Sequence, residues 1–135
     1  MEIHGSVEKI LRAKDELGTM FYKRLFAEHP EFKRYFDDLD LQRQNRLLAT
    51  GLMIIEADAT RPTSAIEVYL QHLGTQHHDM KIPKHLYDTW VATMLQTMQE
   101  FHGQEWTSDL EQQWRRAFRA AVDNIFQGYG QRVTV

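Results

Sequence analysis

The sequence contains no cysteine, so disulfides, thiolate metal sites and cysteine nucleophiles are all excluded. Long apolar runs are also missing. The longest, Gly51 to Ile55, is far too short to span a bilayer. Nothing near Met1 joins a basic start to an apolar run and a small-residue cleavage site, and a soluble cytoplasmic protein is expected. Neither sign of charge is in large excess: the formal net charge of −3 gives no general pull toward nucleic acid or an anionic membrane. There is no sustained period-two alternation, no internal repeat and no low-complexity segment. What is left is an all-α architecture of about six to eight helices. One domain of 135 residues would bury about two thirds of its unfolded surface, enough for a core and an internal pocket.

Taken in order, Val7, Ile10, Leu11, Leu17, Phe21, Leu25 and Phe26 suit one short and one longer helix, interrupted around Asp15 and Gly18. His29-Pro30 closes the second, because the residue before a proline is pushed out of the αR region. A brief helical turn from Pro30 to Phe36 follows, and Asp37, Asp38 and Asp40 read as a loop and then a cap. The next helix runs from about Leu41 to Ala57, with Leu41, Gln44, Leu48, Gly51, Leu52 and Ile55 on one face. Thr60, Arg61 and Pro62 break the pattern.

Ser64 with Glu67 makes a capping box for a helix that ends before Pro83. A long helix then reaches Phe101, with Tyr87, Trp90, Val91, Met94 and Met98 on its apolar side, and Gly103 stops it. Ser108 with Glu111 makes another capping box. Leu110, Trp114, Ala117, Phe118, Ala121, Ile125 and Phe126 form the stripe of a final helix, and the tail after Gly128 should fray.

One residue stands out against this pattern. Ile66, Tyr69, Leu70, Leu73 and His77 fall on one helical face, which puts an imidazole at the end of an apolar stripe. Such a histidine is either a core residue hydrogen-bonded to a neighbour or a ligand to something bound there. His78, rotated about 100° away, should face solvent. A zinc site from His72, His77 and His78 is the competing metal reading, but His72 and His77 lie five apart and do not share a helix face.

Two blocks resemble the globin family, in particular bacterial single-domain haemoglobins and the globin half of flavohaemoglobins. FYKRLFAEHPEFKRYF, Phe21 to Phe36, is similar to the family's second helix, proline-started short helix and phenylalanine. LGTQHHDMKIPKHLY, Leu73 to Tyr87, is similar to its proximal-histidine block, where a tyrosine follows ten residues after the ligand, as Tyr87 follows His77. The resemblance implies a three-over-three helical sandwich around haem b. It makes His77 the iron ligand, with Tyr87 as the proximal tyrosine, Phe36 on the haem face and Ile82 at the haem edge. Tyr22 becomes the distal hydroxyl, and Gln44 and Leu48 the distal-helix residues, replaced by Asn45 and Ala49 if the intervening gap falls elsewhere. No histidine occupies the distal helix, so ligation by two histidines is not expected.

Two departures from the family pattern matter. Flavohaemoglobins resemble one another in a glutamate late in the last helix, and Tyr129 stands at that position here. The chain also reaches Val135 without a flavin or nicotinamide segment, so electrons would come from another protein. The resemblance thus implies reversible binding of dioxygen, and of nitric oxide or carbon monoxide, with oxygen transport as one use. Oxidation of nitric oxide to nitrate would need a separate reductase. A gas-sensor domain signalling to a partner, dimeric through its last two helices, is the alternative, and a globin-like fold without haem is a third. Arg115, Arg116 and Arg119 read as a solvated face near Glu111, or as a docking patch for an acidic reductase. Phe36, Trp90, Trp114 and Phe118 read otherwise as core. Monomer and homodimer both remain open.

Overall fold

In a computed structural model, residues 1–36, 38 and 40–130 are described. Among them the order is α1 Ile3–Arg12, α2 Glu16–Glu28, a 3₁₀ turn Pro30–Tyr35, α3 Leu41–Thr60, α4 Ser64–Asp79, α5 His85–His102, a 3₁₀ turn Gly103–Glu105, and α6 Ser108–Tyr129. Asp37 and the segment 131–135 lie outside the described residues. No helix among those described is long and apolar enough to cross a membrane.

Local chemistry explains most of the boundaries. Thr63 and Thr107 are the residues that cap α4 and α6: both are extended, and their hydroxyls accept from Ile66 N and Leu110 N. Ser64 and Ser108, expected to do this, are already in the helix, because the cap must be the last extended residue. Asp40 caps α3, accepting from Arg43 N at 3.2 Å. That helix outruns the expected end by three residues and stops at Arg61, ahead of Pro62. α4 ends short of Pro83, where Lys81 takes a left-handed conformation, φ 62, and Ile82 N donates to the carbonyl of His77 at 3.1 Å.

α4 packs on α6, α2 on α5, and α3 touches both α6 and α2, giving the three-over-three sandwich. Its principal core joins Leu17, Phe21, Leu25, Met94, Met98, Leu110, Trp114 and Phe118. Trp90 only packs against this core, half-buried. A second cluster, Leu70, Ala121 and Ile125, gathers Leu73, Tyr87, Phe126 and Tyr129 around it.

The α4–α6 crossing is as close as backbones allow. A Cβ on Gly74 would stand 1.8 Å from the carbonyl oxygen of Ile125, and one on Gly128 1.9 Å from that of Gln71. Gly128 therefore lies inside α6, where fraying was expected to start. Gly18 likewise sits within α2, where a Cβ would meet the side chain of Asn45; the interruption is the turn at Ala13–Asp15. With so narrow a contact, only Leu70 and Gly74 of α4 are buried. Tyr69 is consequently exposed, as are Leu11 and Leu41 at the margins of their helices.

Candidate functional site

The end of α4 brings His77 against α5 and α6. His77 Nδ1 lies 2.7 Å from the hydroxyl of Tyr87, which lies 2.9 Å from the hydroxyl of Tyr129, and Tyr129 donates to the carbonyl of Ile82 at 2.9 Å. Among the described residues His77 Nε2 takes no hydrogen bond. Burial lowers the pKa of His77, so the ring is neutral at pH 7, with a lone pair on one nitrogen. Burial raises Tyr87 and Tyr129, so both phenols keep their protons. Tyr129 thus meets Tyr87 where the resemblance led one to look for a carboxylate.

On the other wall, the Gly18 approach seats the start of α3 against α2. Gln44 Nε2 donates to the Tyr22 hydroxyl at 3.0 Å. Burial pushes Tyr22 up to about 12, the Gln44 bond opposing the shift. Rings enclose the pair: Phe36, Phe21 and Phe26 lie 5.7, 5.1 and 5.9 Å from the Tyr22 ring. Leu48, one turn beyond Gln44, is buried. Asn45 points the other way, toward Thr19 Oγ1 at 3.4 Å, and Ala49 is half-buried. Gln44, rather than Asn45, meets Tyr22.

A cavity of about 440 Å³ beside Gln44 is lined by Arg34, Phe36, Asp38, Arg43, Gln44 and Met80. It joins the 3₁₀ turn and the start of α3 to the residue that closes α4, three positions past His77. Ile82 is half-buried and lines a second opening with Tyr129, His78 and Lys84.

His78 is less exposed than its helical position suggested, because its ring sits edge-on to Tyr129 at 5.4 Å. His72 is exposed, and among the described residues no three His, Asp or Glu side chains converge, which leaves the zinc reading without a ligand set. Arg115 pairs with Glu111 at 3.1 Å and Arg116 bonds the carbonyl of Gln112 at 3.3 Å; both are exposed, as is Arg119.

The sequence gives no signal for two contacts. One is the Ile82 carbonyl, a backbone group aimed by the left-handed turn at Lys81. The other, away from the cavity, is a buried set in which Trp114 Nε1 donates to Ser6 Oγ at 3.0 Å and Ser6 Oγ lies 2.6 Å from His102 Nε2.

The donor set suits haem: a neutral imidazole with one nitrogen available, a phenol and an amide inside an aromatic wall, and among the described residues no competing cluster of hard ligands. Helices stacked three over three with such a pocket define the globin class of fold. Comparison with known proteins agrees, since the family model described as Globin matches residues 19–125; this chain belongs to the globin family. It is 27% identical over 127 residues to a flavohemoprotein of Halalkalibacterium halodurans, covering 93% of this chain and 31% of that protein. Against a flavohemoprotein of Bacillus subtilis it is 26% identical over 126 residues, 91% of this chain and 31% of the other. A flavohemoprotein of Rhizobium meliloti is 26% identical over 105 residues, covering 76% and 26%. The chain spans about a third or less of the length of these curated relatives.

Proposed function

We propose that this globin holds haem b through His77 and binds dioxygen reversibly, along with carbon monoxide and nitric oxide, in the cytoplasm. The observation that carries the reading is the His77–Tyr87 contact of 2.7 Å, which occupies Nδ1 and leaves Nε2 for a metal. The missing cysteines exclude the thioether attachment of a c-type haem, which supports a non-covalently held group such as haem b. When bound, ferrous haem supplies an iron with one open position for a diatomic gas.

The chain's own residues do the rest. Phe36, Phe26 and Phe21 exclude water around the Tyr22 hydroxyl. Because Tyr22 accepts from Gln44, its own O–H is directed elsewhere, toward the ligand that shares the pocket. Burial keeps that proton in place at neutral pH. A bond of this kind in a dry pocket contributes about 1 to 3 kcal/mol. A further role is nitric oxide oxidation to nitrate with electrons from a reductase, a reading in keeping with the likeness to flavohemoproteins.

The reading is tested by flash photolysis and stopped-flow on the haem-loaded ferrous protein. Reversible oxygen binding with slow release is expected. A ferrous form that oxidises on contact with oxygen, with no oxygenated spectrum, would contradict it.

A further inference from the structure

We propose that Tyr129 is a positioning residue that fixes the tautomer of His77 through a one-way chain of hydrogen bonds. The inference rests on the reading of His77 as the iron ligand, and its starting point is the far end of the chain. The carbonyl of Ile82 can only accept, so the Tyr129 hydroxyl donates to it. A phenol has one proton, and that of Tyr129 is now committed. In the 2.9 Å contact between the two phenols, Tyr87 is therefore the donor and Tyr129 the acceptor. Tyr87 in turn has no proton left for His77. At 2.7 Å, it must accept, and His77 Nδ1 must carry the hydrogen. Nε2 is then the lone-pair nitrogen, the atom a metal needs.

The anchor of the chain is rigid. Lys81 closes α4 in a left-handed conformation, Ile82 N is held by the His77 carbonyl, and the Gly74–Gly128 crossing fixes α6 against α4. Without the Tyr129 oxygen, Tyr87 has no acceptor there and turns its proton toward His77 Nδ1. That stabilises the opposite tautomer, with hydrogen on Nε2. A donor chain that polarises step by step also makes the Tyr87 oxygen a better acceptor, so Tyr129 strengthens the pull on the Nδ1 hydrogen as well as fixing its place.

The test uses long-range proton–nitrogen correlation spectra of His77 in the full-length haem-free chain at pH 8, with wild type, Tyr129→Phe and Tyr87→Phe. Wild type is expected to show hydrogen on Nδ1. Tyr129→Phe should move the tautomer ratio toward Nε2–H by about tenfold, the worth of one hydrogen bond, while circular dichroism stays unchanged. In the haem-loaded ferrous protein the iron–imidazole stretching band should drop in frequency in Tyr129→Phe. Wild type with hydrogen on Nε2 overturns the proposal without any variant, and so does a Tyr129→Phe protein with tautomer and band both unchanged. Failure of the ligand reading is separate: the band would then be absent in wild type, whatever the tautomer.

Discussion

Gln44 donates its side-chain amide to the hydroxyl of Tyr22 across the α2–α3 contact, at 3.0 Å. The two residues lie on different helices, and the contact depends on the glycine at position 18, where any side chain would strike Asn45. Gln44 holds the phenol through this bond, and burial keeps the phenol protonated at neutral pH.

Tyr22→Phe is expected to speed oxygen release from the ferrous protein about tenfold to a hundredfold, the kinetic equivalent of losing one strong bond to bound ligand. Gln44→Leu should give a smaller increase, about threefold to tenfold, because the phenol remains but is less well held. Asn45→Ala should leave release unchanged while lowering stability by about 1 kcal/mol, since that side chain faces Thr19. Stopped-flow displacement of oxygen by carbon monoxide reads the first two, and urea unfolding the third.

The α4–α6 crossing should tolerate no side chain. Gly74→Ala or Gly128→Ala would put a methyl group within 2 Å of a backbone carbonyl, which forces the helices apart. Each should cost more than about 2 kcal/mol and lower Tm by about 5 °C or more. Thermal unfolding followed by circular dichroism checks this. Because the crossing carries the helix that bears His77, haem affinity should fall in parallel.

His102 gives the protein an acid limit unconnected with the pocket. Its Nε2 lies 2.6 Å from Ser6 Oγ, which also accepts from Trp114. Its Nδ1 is buried without a hydrogen-bond partner. Burial, with a smaller contribution from Lys9, lowers the pKa to about 4, while Glu105 opposes the shift. The folded value is depressed below the unfolded one, about 6.5. The contribution is therefore complete above pH 6.5 and is lost as pH falls toward 4, at most about 3 kcal/mol in all. Urea unfolding across this range should show the slope, and His102→Gln should flatten it.

Helix number and the apolar stripes were legible because period and caps are local properties. The stripe from Leu110 to Ile125 and the break at Pro62 needed nothing beyond the chain itself. The caps were off by one residue, since Thr63 and Ser64 both carry hydroxyls and only the backbone conformation separates them. Choosing between Gln44 and Asn45 required the length of the turn before α3 and the seat provided by Gly18, neither visible in a residue pattern. Tyr129 was visible only as a departure. Its partner is a carbonyl 47 positions away, and backbone atoms leave no mark in a sequence. The Ser6–His102 contact, 96 residues apart, was hidden for the same reason of distance.

Haem ligation by His77 is tested most directly by a haemin titration of the purified protein followed by its absorption spectrum, in wild type and in His77→Ala. Wild type should develop a sharp Soret band at one haem per chain, and reduction under carbon monoxide should give the spectrum of a histidine-ligated haem. His77→Ala should lose that signature, with imidazole added to the solution restoring it. A wild-type protein that forms no Soret band, or a His77→Ala protein whose spectrum matches wild type, would contradict ligation by His77.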